Sequence, residues 1–143
     1  MAFTMTNRGL FYLLNNAISA STDIRAAVFK GSAPAVATMR DYDFLSSLTG
    51  AMTEAAASGY ARVDLASVAI TESDASDNVT ITAAAWTMNS VAAGETWTAI
   101  GYYVEGASDA ARTLLGVDVP SSSITTNGSN ITGPALLITI TGS

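Results

Sequence analysis

The segment Val79-Thr80-Ile81-Thr82-Ala83 alternates apolar and polar residues at every step, and this period of two constrains the fold more than any other feature of the chain. Successive side chains of a β-strand point to opposite faces, so strict alternation describes a strand with one packed face and one wet face. The pattern recurs downstream of Gly59. Tyr60 to Ile70 carries Val63 and Leu65 in alternation, and Val68 and Ile70 resume it beyond an alanine, the expected place of a bulge. Thr96 to Val104 carries Trp97, Ile100, Tyr102 and Val104; Thr113 to Val119 is a strand that Pro120 ends. Ser121 to Pro134 reads as a loop with a short strand near Ile124, and Ala135 to Thr141 closes the pattern with Leu136, Ile138 and Ile140 on one face. Upstream, Asp23 to Lys30 places Ile24, Ala26 and Val28 on one side and Arg25, Ala27 and Phe29 on the other, until Gly31-Ser32-Ala33-Pro34 stops it.

These segments make about six or seven strands with no helix alternating between them, which argues against a parallel sheet built from crossover helices. The expected fold is all-β and mainly antiparallel, a six- to seven-stranded sandwich or open barrel with a short N-terminal helix. Its expected core includes Val63, Leu65, Val79, Ile81, Ile100, Tyr102, Leu136 and Ile138. With 143 residues and no break in composition, the chain reads as a single domain over 1–143.

Two stretches lack the strand pattern. In residues 1–20, Asn7 can cap a helix that sets Leu10, Leu13, Leu14 and Ala17 on one face, either packed on the chain's own sheet or free to act as a docking arm. Residues 31–58 read as a long connection. Within it Asp41 to Leu48 suits a helical turn with Tyr42, Leu45 and Leu48 inward, and Ala51 to Ser58 has helical propensity without an apolar face. The run Gly9 to Leu14 after Arg8 is broken by Asn15-Asn16, too early for the ~7–15 apolar residues of a signal peptide, so it is expected to belong to the mature protein. No run approaches the ~20 apolar residues of a membrane span, and no membrane association is expected.

The chain has no histidine and no cysteine, which removes histidine-based triads, thiol chemistry and nearly every zinc site. No phosphate- or dinucleotide-binding glycine pattern is present. Lys30, the single lysine, ends a strand beside Gly31-Ser32, where a solvated lysine is the ordinary reading. Glu72, Asp74 and Asp77 with Asn78 crowd oxygen ligands into one turn, as a calcium site does. They lack the spacing and glycine of a calcium loop, and Asp and Asn are ordinary turn residues, so a plain turn is favoured. Trp86, Trp97, Tyr102 and Tyr103 fit either a core or a sugar-binding platform, the core being the commoner use. Three glycosylation sequons, at Asn78, Asn127 and Asn130, matter only in a secretory pathway. No catalysis, cofactor or metal is expected.

Charge points the same way. Twelve acidic and six basic residues leave a formal charge of −6, which argues against nucleic acid as a partner. Only 13% of residues are charged, against about a quarter in an ordinary soluble domain. Ala, Ser, Thr and Gly fill the difference, as on a surface partly covered by neighbours, and a homo-oligomer is expected.

Taken in order, "IRAAVFK" (Ile24 to Lys30), "DYDFLSSL" (Asp41 to Leu48), "GYARVDL" (Gly59 to Leu65), "DNVTITAAAW" (Asp77 to Trp86), "WTAIGYYVEG" (Trp97 to Gly106) and "LLGVDV" resemble a diffuse group of bacteriophage virion proteins of about this length. The resemblance implies a structural role in head or tail, best met by a capsid decoration or cement protein on the virion surface. The implied partners are the major capsid protein or other virion subunits. On this reading Leu10, Phe11, Leu13 and Leu14 of the arm, with Tyr42 and Phe44 of the long connection, are the candidate partner-binding residues. A tail or fibre component and a carbohydrate-binding β module are the alternatives.

Overall fold

The computed structural model describes residues 2–5, 22–73, 75 and 78–141, and every structural statement below concerns these residues. The strand order of the main sheet is β1 (Ala2–Met5), β9 (Leu114–Val119), β8 (Thr96–Val104), β2 (Ile24–Lys30) and β3 (Thr53–Glu54), with all its pairs antiparallel. Two short strands extend its flanks: β4 (Val63–Asp64) pairs with β2 beside Arg25 and Ala26, and β10 (Ile124–Thr125) pairs with β8 beside Trp97. A second layer holds a three-stranded sheet, β12 (Leu136–Thr141), β6 (Asn78–Ala83) and β5 (Ala69–Ser73), and a two-stranded one, β7 (Trp86–Met88) with β11 (Ile131–Gly133). Two short helices, α1 (Val36–Arg40) and α2 (Leu45–Ala51), form a third layer. Neither is long or apolar enough to cross a membrane.

The mainly antiparallel β architecture agrees with the alternation. The main sheet is buried on both faces. On one, Ile24, Ala26, Val28, Trp97, Ile100, Tyr102 and Leu115 meet Ile81, Ala83, Trp86, Met88, Leu136 and Ile138 of the second layer. On the other, Ala27, Phe29, Ala99, Tyr103, Leu114 and Val117 are covered by Met39, Leu45, Leu48 and Met52 of the helical layer. This explains why "IRAAVFK" and "LLGVDV" read as nearly continuous apolar runs, whereas β6 and β12 alternate: only the second layer turns a face to solvent. Of the expected core residues, Leu65, Ile81, Ile100, Tyr102, Leu136 and Ile138 are buried, while Val63 and Val79 are half-buried.

Several boundaries differ from the sequence reading. Tyr60 to Ile70 is not one bulged strand. Val63–Asp64 joins the main sheet and Ala69–Ser73 the second layer, with Ser67 between them in the left-handed region at φ +57°. That residue turns the chain from one layer to the other. The strands at Trp86–Met88 and Ile131–Gly133 escape sequence reading because three residues are too few to display a period. Ala2–Met5 is a strand paired with β9, not part of a helical arm; the helix expected from Asn7 lies outside the described residues. Residues 31–58 are not an irregular connection. Their middle is the helical layer, with Leu45 and Leu48 inward as expected, and Thr53–Glu54 beyond it is a strand despite its helical propensity.

At the β7–β11 pair, Gly133 lies opposite Trp86, and the indole covers the glycine. A Cβ at Gly133 would stand 2.0 Å from two ring atoms of Trp86. Gly133→Ala is therefore expected to cost about 1–3 kcal/mol by overpacking. Gly50→Ala, inside α2 with nothing within 4 Å, should instead stabilise by roughly 0.5–1 kcal/mol. Urea denaturation of the two variants checks the contrast.

Candidate functional site

Arginines that are scattered along the sequence are gathered in space. Arg25 on β2, Arg62 just before β4 and Arg112 just before β9 meet at one end of the main sheet with Asp23, Glu54, Asp64, Glu105 and Asp109. Arg62 donates through Nε to Glu54 Oε1 (2.8 Å), through Nη2 to Glu54 Oε2 (2.7 Å) and through Nη1 to Asp109 Oδ1 (2.6 Å). Arg112 donates through Nη1 to the same Asp109 Oδ1 (2.6 Å) and through Nε to Glu105 Oε1 (2.9 Å). Arg25 Nε lies 2.6 Å from Asp64 and 3.1 Å from Glu105. Both Arg62 and Arg112 place their guanidinium carbon 5.8 Å from the centroid of the buried Tyr103 ring. The Tyr60 hydroxyl donates to Glu54 (2.7 Å) and accepts the Val28 N–H (3.2 Å).

The electrostatics follow from this pairing. Arg62, then Arg112, hold Asp109 down at about 2 against the opposing effect of burial. Burial alone would raise Glu54, but Arg62 and Tyr60 outweigh it and keep the carboxyl below its ordinary value. Arg112 does the same for Glu105. Such a cluster consists of carboxylates and guanidiniums that already have partners, and it supplies neither a poised base nor a nucleophile. It acts as a clamp joining β2, β3, the approach to β4 and the β8–β9 loop. No group of three or more Asp or Glu among the described residues is placed to hold a metal ion. The candidate cation residues Asp74 and Asp77, with the side chain of Glu72, lie outside the described residues.

Lys30 is not a free solvated lysine. Its Nζ donates to Glu95 Oε1 (2.5 Å), while Trp97 Nε1 (2.9 Å) and the Ala56 N–H (3.2 Å) donate to the same carboxylate. Burial would raise Glu95, yet these donors bring it to about 2. Trp86, Trp97, Tyr102 and Tyr103 are all buried, so the core reading of these aromatics holds and no sugar platform can be built from them.

Tyr42 and Phe44 are both half-buried. Tyr42 packs against the helix-side core, and Phe44 bridges Thr113 while the backbone on either side is stitched to β9 through Leu114 N–H to Asp43 (3.1 Å) and Leu45 N–H to Arg112 (2.9 Å). Both residues thus have contacts within the chain. Leu10, Phe11, Leu13 and Leu14 lie outside the described residues.

The surface that pattern reading did not single out is the outer face of the second layer. Pairing places Thr71, Thr80 and Thr139 in one row and Ala69, Thr82 and Leu137 in the next, on the side opposite the buried Ile81 and Ile138. Thr87 and Thr132 form a further cross-strand pair with hydroxyls 3.3 Å apart. Leu137 is 60% exposed at this face. Glu72 is the only charged residue in β5, β6, β7, β11 and β12 together. The alternation of Thr in "VTIT" and "LITIT" was the available signal, but it spoke of a wet face without revealing how little charge the whole layer carries. Charge is thereby segregated: the main sheet's end carries the arginine–carboxylate cluster, and the second layer presents hydroxyls, methyls and one leucine.

No protein-family model, curated protein or solved structure matches the chain.

Proposed function

We propose that this protein is a non-enzymatic structural subunit of a bacteriophage virion, a decoration or cement-type protein that sits on the head shell and stabilises it. The observation that carries the reading is the uncharged, threonine-rich outer face of the second layer, with Leu137 standing out of it. A broad β face of hydroxyls and methyls loses little on desolvation compared with a charged face, and suits a large, shape-matched contact with a protein surface. The saturated arginine–carboxylate cluster is consistent with it, since that cluster serves rigidity and not reaction. The sequence resemblance to phage virion proteins supplies the particle.

Heads lacking this protein, incubated with it and sedimented, test the proposal. Wild type should co-sediment and appear as added density on the shell in electron micrographs. Thr80→Asp/Thr82→Asp, which sets two charges at the centre of the outer face on β6, should lose at least tenfold in retention while its circular dichroism stays that of the wild type. Absence of wild-type binding to heads overturns the reading, and binding to tails alone replaces it with a tail component.

A further inference from the structure

The outer edge of β12 offers a second, independent contact. Along its inner edge β12 pairs with β6 over Leu136 to Thr141 without a bulge, so the strand is regular over six residues. Among the described residues no strand pairs with its other edge. An open edge is a row of unpaired backbone donors and acceptors, and proteins that stay monomeric protect such edges with charge, proline or a bulge. The opposite edge of the same sheet, β5, carries Glu72; β12 is Leu-Leu-Ile-Thr-Ile-Thr, with none of these devices.

We propose that this edge pairs with the same edge of a second copy, antiparallel about a two-fold axis, to make a continuous six-stranded sheet across the dimer. The chemistry of the strand favours a second copy over an unrelated one. A two-fold pairing that keeps packed faces together must place opposite one another residues whose numbers have an even sum, because alternate residues point to opposite faces. With Ile138 on the axis, Leu136 falls opposite the partner's Ile140 and Leu137 opposite the partner's Thr139. Apolar residues then meet apolar residues on the core side, and the exposed Leu137 packs on a β-branched neighbour. No charge lies anywhere along the strand, whereas self-pairing of the β5 edge would bring Glu72 into the contact. The contact is isologous and closes at two copies. It is also narrow, below the ~1,200 Å² of a standard interface, so the dimer should be concentration-dependent and not permanent. The inference needs only this edge, and it stands or falls apart from the virion reading.

Sedimentation equilibrium on the free protein, without particles, tests it. Wild type should show a monomer–dimer equilibrium. Leu137→Lys/Thr139→Lys and Leu137→Glu/Thr139→Glu change only side chains on the solvent face. Each alone should associate at least tenfold more weakly than wild type, and an equimolar mixture of the two should regain a dimer. The rescue distinguishes edge pairing from loss by misfolding, and Thr71→Lys on the β5 edge should leave the equilibrium unchanged. A wild type that remains monomeric up to about 1 mM, where even the weakest specific contacts register, overturns the inference. So does a lysine variant that dimerises like wild type, or a mixture that does not recover.

Discussion

Replacing Asp118 by asparagine is expected to remove a pH-dependent loss of stability, so that the variant's advantage over wild type is about 3 kcal/mol larger at pH 7 than at pH 3. Asp118 lies on β9 opposite Ile100, is 1% exposed, and neither carboxylate oxygen has a hydrogen-bond partner among the described residues. Burial pushes the carboxyl from 3.8 up to about 6, and the same carboxyl adds to the burial that raises Tyr102 to about 12. The sign follows from proton counting. Below about pH 3 both folded and unfolded chains hold the proton. Between about pH 4 and 6 the unfolded chain releases it while the folded chain keeps it, so folding weakens as pH rises. Above that window the full penalty stays. Asp109 and Glu95, both held at about 2, act in the opposite sense: their stabilisation is complete above roughly pH 4 and is lost as pH falls towards 2. The wild-type profile should therefore peak between about pH 4 and 5. Asp118→Asn should keep the acid limb and flatten the other, a result that urea titrations across pH 3–8 would read directly. Parallel profiles for the two proteins would show that this carboxyl finds a partner in solution.

Truncating Leu48 to alanine should cost about 2–5 kcal/mol, the range for emptying a well-packed site. Leu48 is fully buried in α2 and its Cδ2 lies 2.8 Å from where a Cβ of Gly101 would stand, so side chain and glycine are matched across the helix–sheet boundary. Phe29 fills the same space from β2, at 3.3 Å from that position. The prediction separates two roles for residues 31–58. A segment held in reserve for a neighbouring subunit would lose little stability in the free protein when Leu48 is cut back. A layer of the core would lose several kcal/mol, as expected here, with a midpoint shift in denaturant at unchanged slope.

Strands could be read from the sequence where they are long enough to show a pattern, which the three-residue β7 and β11 are not. β6 and β12 alternate because solvent sits on one side and the sandwich core on the other, and that pattern alone assigns Ile81 and Ile138 to the core. β2, β8 and β9 could also be read, although both of their faces are covered. The candidate site was much less accessible. Arg25, Arg62 and Arg112 give no local sign of sharing Asp109 and Glu105, because ion pairs between distant segments leave no periodicity. Nor does anything near Asp118 announce that its carboxylate is buried; in "LLGVDV" an aspartate reads as the wet side of a strand.

What the sequence determined by itself is what local sterics and periodicity encode: the β class, the longer strands of both layers, the turns at Gly31 to Pro34 and Pro120, and a chemistry without imidazole or thiol. The tertiary structure alone decided which strands became neighbours, that the main sheet is covered on both faces by a helical layer and a β layer, and that Ser67 divides one apparent strand between two sheets. It also decided where charge would gather and where it would be absent. The physical reason is range. Alternation records only whether a residue faces water or protein, whereas pairing, layer order and ion-pair clustering are settled by contacts between residues far apart in the chain, whose free energy exists only once the chain has closed upon itself.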